Sequence, residues 1–208
     1  APAQRTIWET VKHHFAVSAC ILQEDARIGK IIGFYSVVFA AHTLLFFYSQ
    51  QYFADFGYNK VQISVIMLLV GGASCLGALV SEKMYRWFGK KCLIPETIII
   101  AGAILCYGAG KADVAAAALM CAGFANAALY PIQSDSLNAL IPSEQRATLI
   151  SVDSMCFSIA MIVLFPLAGA FADRWGLKTV LLLLGVILLL FLLAAFCIEK
   201  ESFSSDHS

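Results

Sequence analysis

Charge is the scarcest ingredient of this chain. Only 13% of its 208 residues are Asp, Glu, Lys or Arg, about half the share of an ordinary soluble domain. The 14 basic and 14 acidic residues cancel to a formal net charge of zero, which excludes the basic footprint of a nucleic-acid binder. Proline is rare as well, five in all, so long helices can form with few breaks. Paired cysteine spacings are absent. Cys20, Cys75, Cys92, Cys106, Cys121, Cys156 and Cys197 are scattered, mostly within apolar runs. That scatter excludes a clustered metal or redox site and reads as reduced packing residues. His13 and His14 are adjacent and His207 lies in a polar tail, so no zinc site and no cofactor is expected.

What fills the chain is apolar sequence, 60% of it by residue, with a mean hydropathy of +0.79. About 20 apolar residues cross the hydrocarbon core of a bilayer, and six such runs follow one another. They cover Ile31–Gln51, Val61–Val80, Leu93–Ala109, Val114–Leu140, Ala147–Phe171 and Thr179–Ile198. Unbroken runs of this length are helices, because lipid offers the backbone no hydrogen-bond partner. The fourth contains Pro131, expected to bend it, and the fifth contains Pro166. The joints are Asp55–Asn59, a basic loop from Glu82 to Lys91, Lys111–Asp113, Pro142–Arg146 and the stretch around Gly176.

Ahead of the spans, Thr6–Gln23 places Trp8, Val11, Phe15, Ala19 and Leu22 at helical spacing, with Thr6 and Glu9 forming a capping box. This is the pattern of an amphipathic helix lying on a membrane surface. The expected architecture is therefore an all-α polytopic membrane protein. Residues 1–27 form a cytoplasmic linker with the interfacial helix, 28–198 a six-helix transmembrane bundle, and 199–208 a cytoplasmic tail. The opening Ala1-Pro2-Ala3 reads as the continuation of a longer polypeptide.

Orientation follows from the excess of positive charge on cytoplasmic segments. With the N-terminus inside, the inner segments collect Arg5, Lys12, Arg27, Lys30, Lys83, Arg86, Lys90, Lys91, Arg146 and Lys200. The outer joints hold Lys60, Lys111, Arg174 and Lys178. Both termini are expected in the cytoplasm.

Two joints resemble each other beyond what hydropathy demands. The second-to-third runs from Gly77 through Glu82 and Lys83 to Gly89, Lys90 and Lys91. The fifth-to-sixth runs from Gly169 through Asp173 and Arg174 to Gly176 and Lys178. Each has a small residue on the helix end, an acid-base pair, then glycine followed by a base. They divide the chain into two three-span triplets, and an odd number of spans sends the second triplet into the membrane from the opposite side. Two inverted three-helix repeats are a building plan of secondary transporters.

On these joints the chain resembles the major facilitator superfamily, and specifically the C-terminal six-helix half of a twelve-helix member. That family's signature, G-x-x-x-D-R/K-x-G-R/K-K/R, is matched by Gly169, Asp173, Arg174, Gly176 and Lys178, although in the joint expected outside rather than in a cytoplasmic loop. The cytoplasmic joint carries a stretched version, with Glu82-Lys83 separated from Gly89-Lys90-Lys91. Tyr130-Pro131-Ile132-Gln133 through Arg146-Ala147-Thr148 resembles the link between the fourth and fifth helices of that half. The resemblance implies six further helices, as a preceding half or a second copy, and a bacterial cell-membrane exporter of small solutes or drugs rather than a sugar importer.

Candidate chemistry is confined to the few polar residues inside spans, where each is costly enough to ask for a reason. His42 lies about 18 Å along its helix from Lys30, near the midplane. It is a candidate proton carrier or solute contact, or alternatively a neutral histidine bonding a neighbouring helix. Tyr35, His42 and Ser49 share a stripe with Gln50 beside it. Asn126 is about 20 Å along the fourth span from Asp113, with Tyr130 one turn beyond, and Ser154 and Ser158 share a face of the fifth. Together these residues of the first, fourth and fifth spans are expected to wall half of a solute cavity. Asp135 and Asp153 flank Arg146 in sequence and are expected to form a cytoplasmic gate, an ion pair or a proton-coupling group. Glu96 is expected to reach the interface from its first helical turn. Gly71, Gly72, Gly77 and Gly102 are read as close helix contacts.

The leading function is half of a secondary active transporter working by alternating access with proton coupling. The alternative is a polytopic membrane protein that does not transport, such as a receptor, an assembly factor or a degenerate transporter. An intramembrane enzyme is disfavoured, because the chain has no His-Glu-x-x-His, no Gly-x-Ser-x-Gly and no paired midplane acids.

Overall fold

The computed structural model describes residues 26–89, 93–140 and 146–205. Six α-helices account for nearly all of them: α1 (Ala26–Asp55), α2 (Lys60–Phe88), α3 (Leu93–Cys106), α4 (Ala112–Asn138), α5 (Arg146–Trp175) and α6 (Leu177–Ser205). A 3-10 turn, Tyr107–Ala109, extends α3. Five helices are long and apolar enough to cross a membrane, and the apolar stretch Ile94–Ala109 is shorter. Every expected span is thus a helix. The amphipathic segment Thr6–Gln23, the lysines Lys90 and Lys91 and the joint Pro142–Gln145 lie outside the described residues.

The helices outrun the apolar runs that announce them. The supposed basic loop from Glu82 is helical as far as Phe88, because no glycine or proline interrupts it before Gly89. Glu82 and Arg86, one turn apart, also approach to 3.8 Å. Gly169, Asp173 and Arg174 likewise ride on the last turns of α5, so the fifth joint shrinks to Gly176 alone, whose φ of +81° suits glycine. The helix α6 continues through residues 199–205. Both internal prolines are accommodated without interrupting their helices.

Three joints gather at one end of the bundle. Gly57, at φ +84°, turns the chain out of α1, and Asn59 then starts α2 with a capping box. The Asn59 side chain accepts from the Gln62 amide at 3.0 Å, while the Gln62 side chain accepts from the Asn59 amide at 2.9 Å. The Tyr58 hydroxyl donates to Asp113 Oδ1 on the first turn of α4 at 3.1 Å, and the Lys178 ammonium lies over Gly110. Below, the Tyr52 hydroxyl donates to the Tyr107 carbonyl at 3.0 Å, inside a cluster of Tyr52, Phe53, Tyr58 and Tyr107 rings.

The hydrogen bond to Asp113 holds the Tyr58 phenol's proton above the ordinary tyrosine range, and desolvation and the Asp113 charge act the same way. A raised folded value means that this tie is present below the ordinary tyrosine range and is lost as pH climbs through the raised one. In a spectrophotometric titration, Tyr58→Phe should therefore remove a late-ionising tyrosine from the curve. Removal of a tyrosine that ionises in the ordinary range instead would contradict the bond.

Packing sets α4 against both α2 and α3, α6 against α3 and α5, and α1 against α5, α4 and α6. The α2–α4 crossing depends on glycine. A Cβ on Gly77 would run into the Phe124 carbonyl of α4, and one on Gly123 would come within 2.8 Å of Ser74 Oγ. Gly169 plays a related part on α5, where the Tyr48 hydroxyl of α1 stands 3.1 Å from its would-be Cβ and donates to the Phe165 carbonyl at 3.2 Å. Gly71, Gly72 and Gly102 differ from the expectation: a Cβ on any of them meets nothing within 4 Å. Of the described cysteines, Cys106 and Cys156 are half-buried, whereas Cys75 and Cys121 are exposed and do not pack inside the bundle.

Candidate functional site

A cleft of about 400 Å³ opens between α1, α2 and α4. His42, Thr43 and Phe46 come from α1, Met67, Val70, Gly71 and Ser74 from α2, and Asn126 from α4. The α2 residues follow an i, i+3, i+4, i+7 stripe, one face of a helix. Gly71 leaves space where any side chain would intrude. Two polar atoms are buried against this cleft without a hydrogen-bond partner, His42 Nε2 and Asn126 Oδ1. In lipid such atoms are costly unless something satisfies them. The cleft therefore combines an apolar wall (Phe46, Met67, Val70), two hydroxyls (Thr43, Ser74) and two unsatisfied polar groups. That mixture suits a small organic molecule.

His42 and Asn126, grouped in the sequence as parts of one cavity wall, both line this opening. The rest of the expected set is distributed otherwise. Tyr35 is buried in an aromatic row, its ring 5.2 Å from Phe34 and 5.9 Å from Phe39. Ser49 is buried and donates to the Phe46 carbonyl at 2.7 Å, and Gln50 is exposed. Ser158, also exposed, donates to the Ser154 carbonyl on its own helix at 2.7 Å. The fifth helix contributes nothing to the cleft, and its place is taken by α2. The signal for α2 was the small-residue run Gly71-Gly72-Ala73-Ser74, read as helix packing because sequence does not say which side of a helix has a neighbour.

A second, smaller opening of about 30 Å³ lies between α4 and α5, lined in part by Tyr130, Gln133, Asp153 and Ser154. It has room for about one water. Gln133, almost wholly buried, donates its Nε2 to Asp153 Oδ1 at 3.3 Å. The Asp153 partner is thus an amide from α4, where the sequence had suggested Arg146. Arg146 and Asp135 are both exposed, and the ion pair found among the described residues is Glu82–Arg86. Tyr130, on the wall of this smaller opening, has its ring 5.7 Å from that of Phe39 on α1.

Glu96 also departs from expectation. It is 1% exposed, with both carboxyl oxygens buried and unpartnered, and does not reach the interface. Among the described residues no three His, Cys, Asp or Glu side chains converge as a metal site would need.

The family model of the Major Facilitator Superfamily matches residues 97–207, more than half of the chain. The chain belongs to the Major Facilitator Superfamily. Its members are transporters, and the match runs from the first turn of α3 through α6, taking in Asn126, Asp153 and the Gly169–Lys178 joint. No curated protein and no solved structure matches the chain. As a polytopic superfamily member it exposes large apolar residues along its helices, among them Leu68, Leu76, Ile162 and Leu193, where lipid or a further helical unit would cover them.

Proposed function

We propose that this chain is the C-terminal six-helix half of a proton-coupled superfamily transporter, with the solute bound in the His42–Asn126 cleft and moved by rocking against a second half. The observation that carries the reading is that His42 and Asn126, each with a buried polar atom that lacks a hydrogen-bond partner, both line one open, mostly apolar cleft. Transporters of this plan hold solute near the midplane between two halves, and this cleft is one wall of such a site. Its lining has no carboxylate and no lysine or arginine, which favours a neutral or weakly polar small molecule or drug over a strongly charged ion.

An arrangement as two inverted repeats fits the packing. Exchanging α1 with α4, α2 with α5 and α3 with α6 turns the α2–α4 contact into α5–α1 and the α3–α4 contact into α6–α1, and all four exist. The matched glycines Gly77 and Gly169 sit at the first of those paired crossings. The excess of Lys and Arg on inner segments supports both termini in the cytoplasm. A bacterial cell membrane and proton-driven efflux by antiport complete the reading. Residues 1–27 would serve as the linker from the preceding half, 28–198 as the bundle and 199–208 as its cytoplasmic end.

The test is binding and flux in the protein with its partner half present. A small-molecule panel is screened for solutes that raise the unfolding temperature of the wild type, as binding to the native state must. His42→Leu and Asn126→Leu should each lose that rise and about tenfold or more in affinity, as removal of a buried hydrogen bond worth about 1.4 kcal/mol would give. Full retention of the rise in both variants would place the solute elsewhere.

A further inference from the structure

The exposed surface of α2 changes character at Ser81, the last buried residue of that helix. Just before it the exposed side chains, Leu76, Ala78 and Leu79, are apolar. After it Lys83, Tyr85, Arg86, Trp87 and Phe88 are all exposed, Trp87 at 77%. At about 100° per residue, these five side chains leave the helix in directions spread around its whole circumference. A single partner helix covers one face of such an end and leaves the rest bare. What covers every side is a medium, and it must suit aromatic rings and cations together. The membrane interface does, because aromatic rings settle at headgroup level and an anionic leaflet attracts bases next to a span.

Charge points the same way. Glu82 stands 3.8 Å from Arg86, but Lys83 has no acid partner among the described residues, and Lys90 and Lys91 follow in sequence. Four bases thus accompany one acid between residues 82 and 91. The aromatic end of α5 lacks this excess: beside Phe171 and Trp175, whose rings stack at 5.0 Å, the sequence places one acid and one base, Asp173 and Arg174. Gly89, at φ +56°, closes α2, its amide donating to the Tyr85 carbonyl, so the bases and rings are presented on ordered helix.

We infer that the Lys83–Phe88 end of α2 is a binding surface for anionic phospholipid headgroups. Its bases pair with headgroup phosphates, and its rings rest at the level of the glycerol backbone. The surface is separate from the solute cleft, and its test uses no solute.

Trp87 is the reporter. The other tryptophans of the protein, Trp8 and Trp175 of this chain among them, are replaced by phenylalanine, and brominated phosphatidylglycerol and phosphatidylcholine are compared as quenchers in mixed vesicles. Phosphatidylglycerol should be enriched about fivefold beside Trp87, the factor that one base near an anionic surface supplies. Lys83→Gln with Arg86→Gln should lower the ratio, and adding Lys90→Gln and Lys91→Gln should bring it to one. Arg174→Gln with Lys178→Gln, beyond the far end of α5, should leave it unchanged. Mass spectrometry of lipid retained by the protein with its native tryptophans should give the same order. Equal quenching by the two lipids, or a preference that survives in the fourfold variant, would overturn the headgroup site. So would a Trp87 that neither lipid quenches, since protein would then cover it, or a preference abolished by soluble glycerol phosphate.

Discussion

Gly77→Leu should yield little folded protein, and Gly77→Ala should lower the midpoint of thermal unfolding in detergent by several degrees. Alanine is worth about 0.5–1 kcal/mol more than glycine within a helix, so on propensity alone the alanine variant would be the more stable. Overpacking commonly costs about 1–3 kcal/mol, and here the obstacle is the Phe124 carbonyl, a backbone group that no rotamer change can move aside. The whole α2–α4 crossing must give way, so the clash outweighs the propensity. Gly102→Ala is the matched control. Its Cβ would meet nothing within 4 Å, and the same propensity should leave it as stable as the wild type or more so. Thermal melts of the three proteins decide the matter, and a Gly77→Ala melt at or above the wild-type value would refute the close crossing.

Gly71→Leu should give the opposite dissociation, with folding preserved and solute handling lost. A Cβ at Gly71 has open space within 4 Å, and that space is the cleft itself. A leucine there competes with the solute instead of the fold. If the solute must yield as a crowded core does, at about 1–3 kcal/mol, affinity falls roughly ten- to a hundredfold. Flux and affinity should collapse while the thermal melt stays at the wild-type position. Undiminished flux in Gly71→Leu would move the solute path to another face of the bundle.

These two glycines also show what sequence could and could not reveal. Six spans were legible because lipid leaves the backbone one solution. Helix ends were not, because Ser81–Phe88 and Glu199–Ser205 are polar enough to look like joints yet contain no residue that breaks a helix. Gly71 and Gly77 lie six positions apart in the same span and were both read as helix contacts; only the neighbour that faces each of them separates a lining position from a packing position. His42 and Asn126 were legible, since a polar residue at mid-span asks for a reason. That they share a cleft with α2, while Ser154 and Asp153 belong to a different opening, depends on helix rotation and on which helices are neighbours. Both are tertiary facts. Glu96 was misread for the same reason: whether an acid near a helix start reaches the interface depends on which neighbours cover it, and this one is buried.

The most direct test of the transport reading is water access to the cleft. Ser74→Cys, in a background whose other cysteines are replaced, puts a thiol on the cleft wall of α2, and Leu76→Cys puts one on the opposite side, where Leu76 is 59% exposed. The whole protein in membranes is treated with a membrane-impermeant thiol reagent. A solute pathway predicts that Ser74→Cys reacts, that a solute selected by thermal shift slows its reaction, and that Leu76→Cys stays unreactive against lipid. A Ser74→Cys as inert as Leu76→Cys would contradict the account, since a cleft that water cannot reach cannot carry a solute.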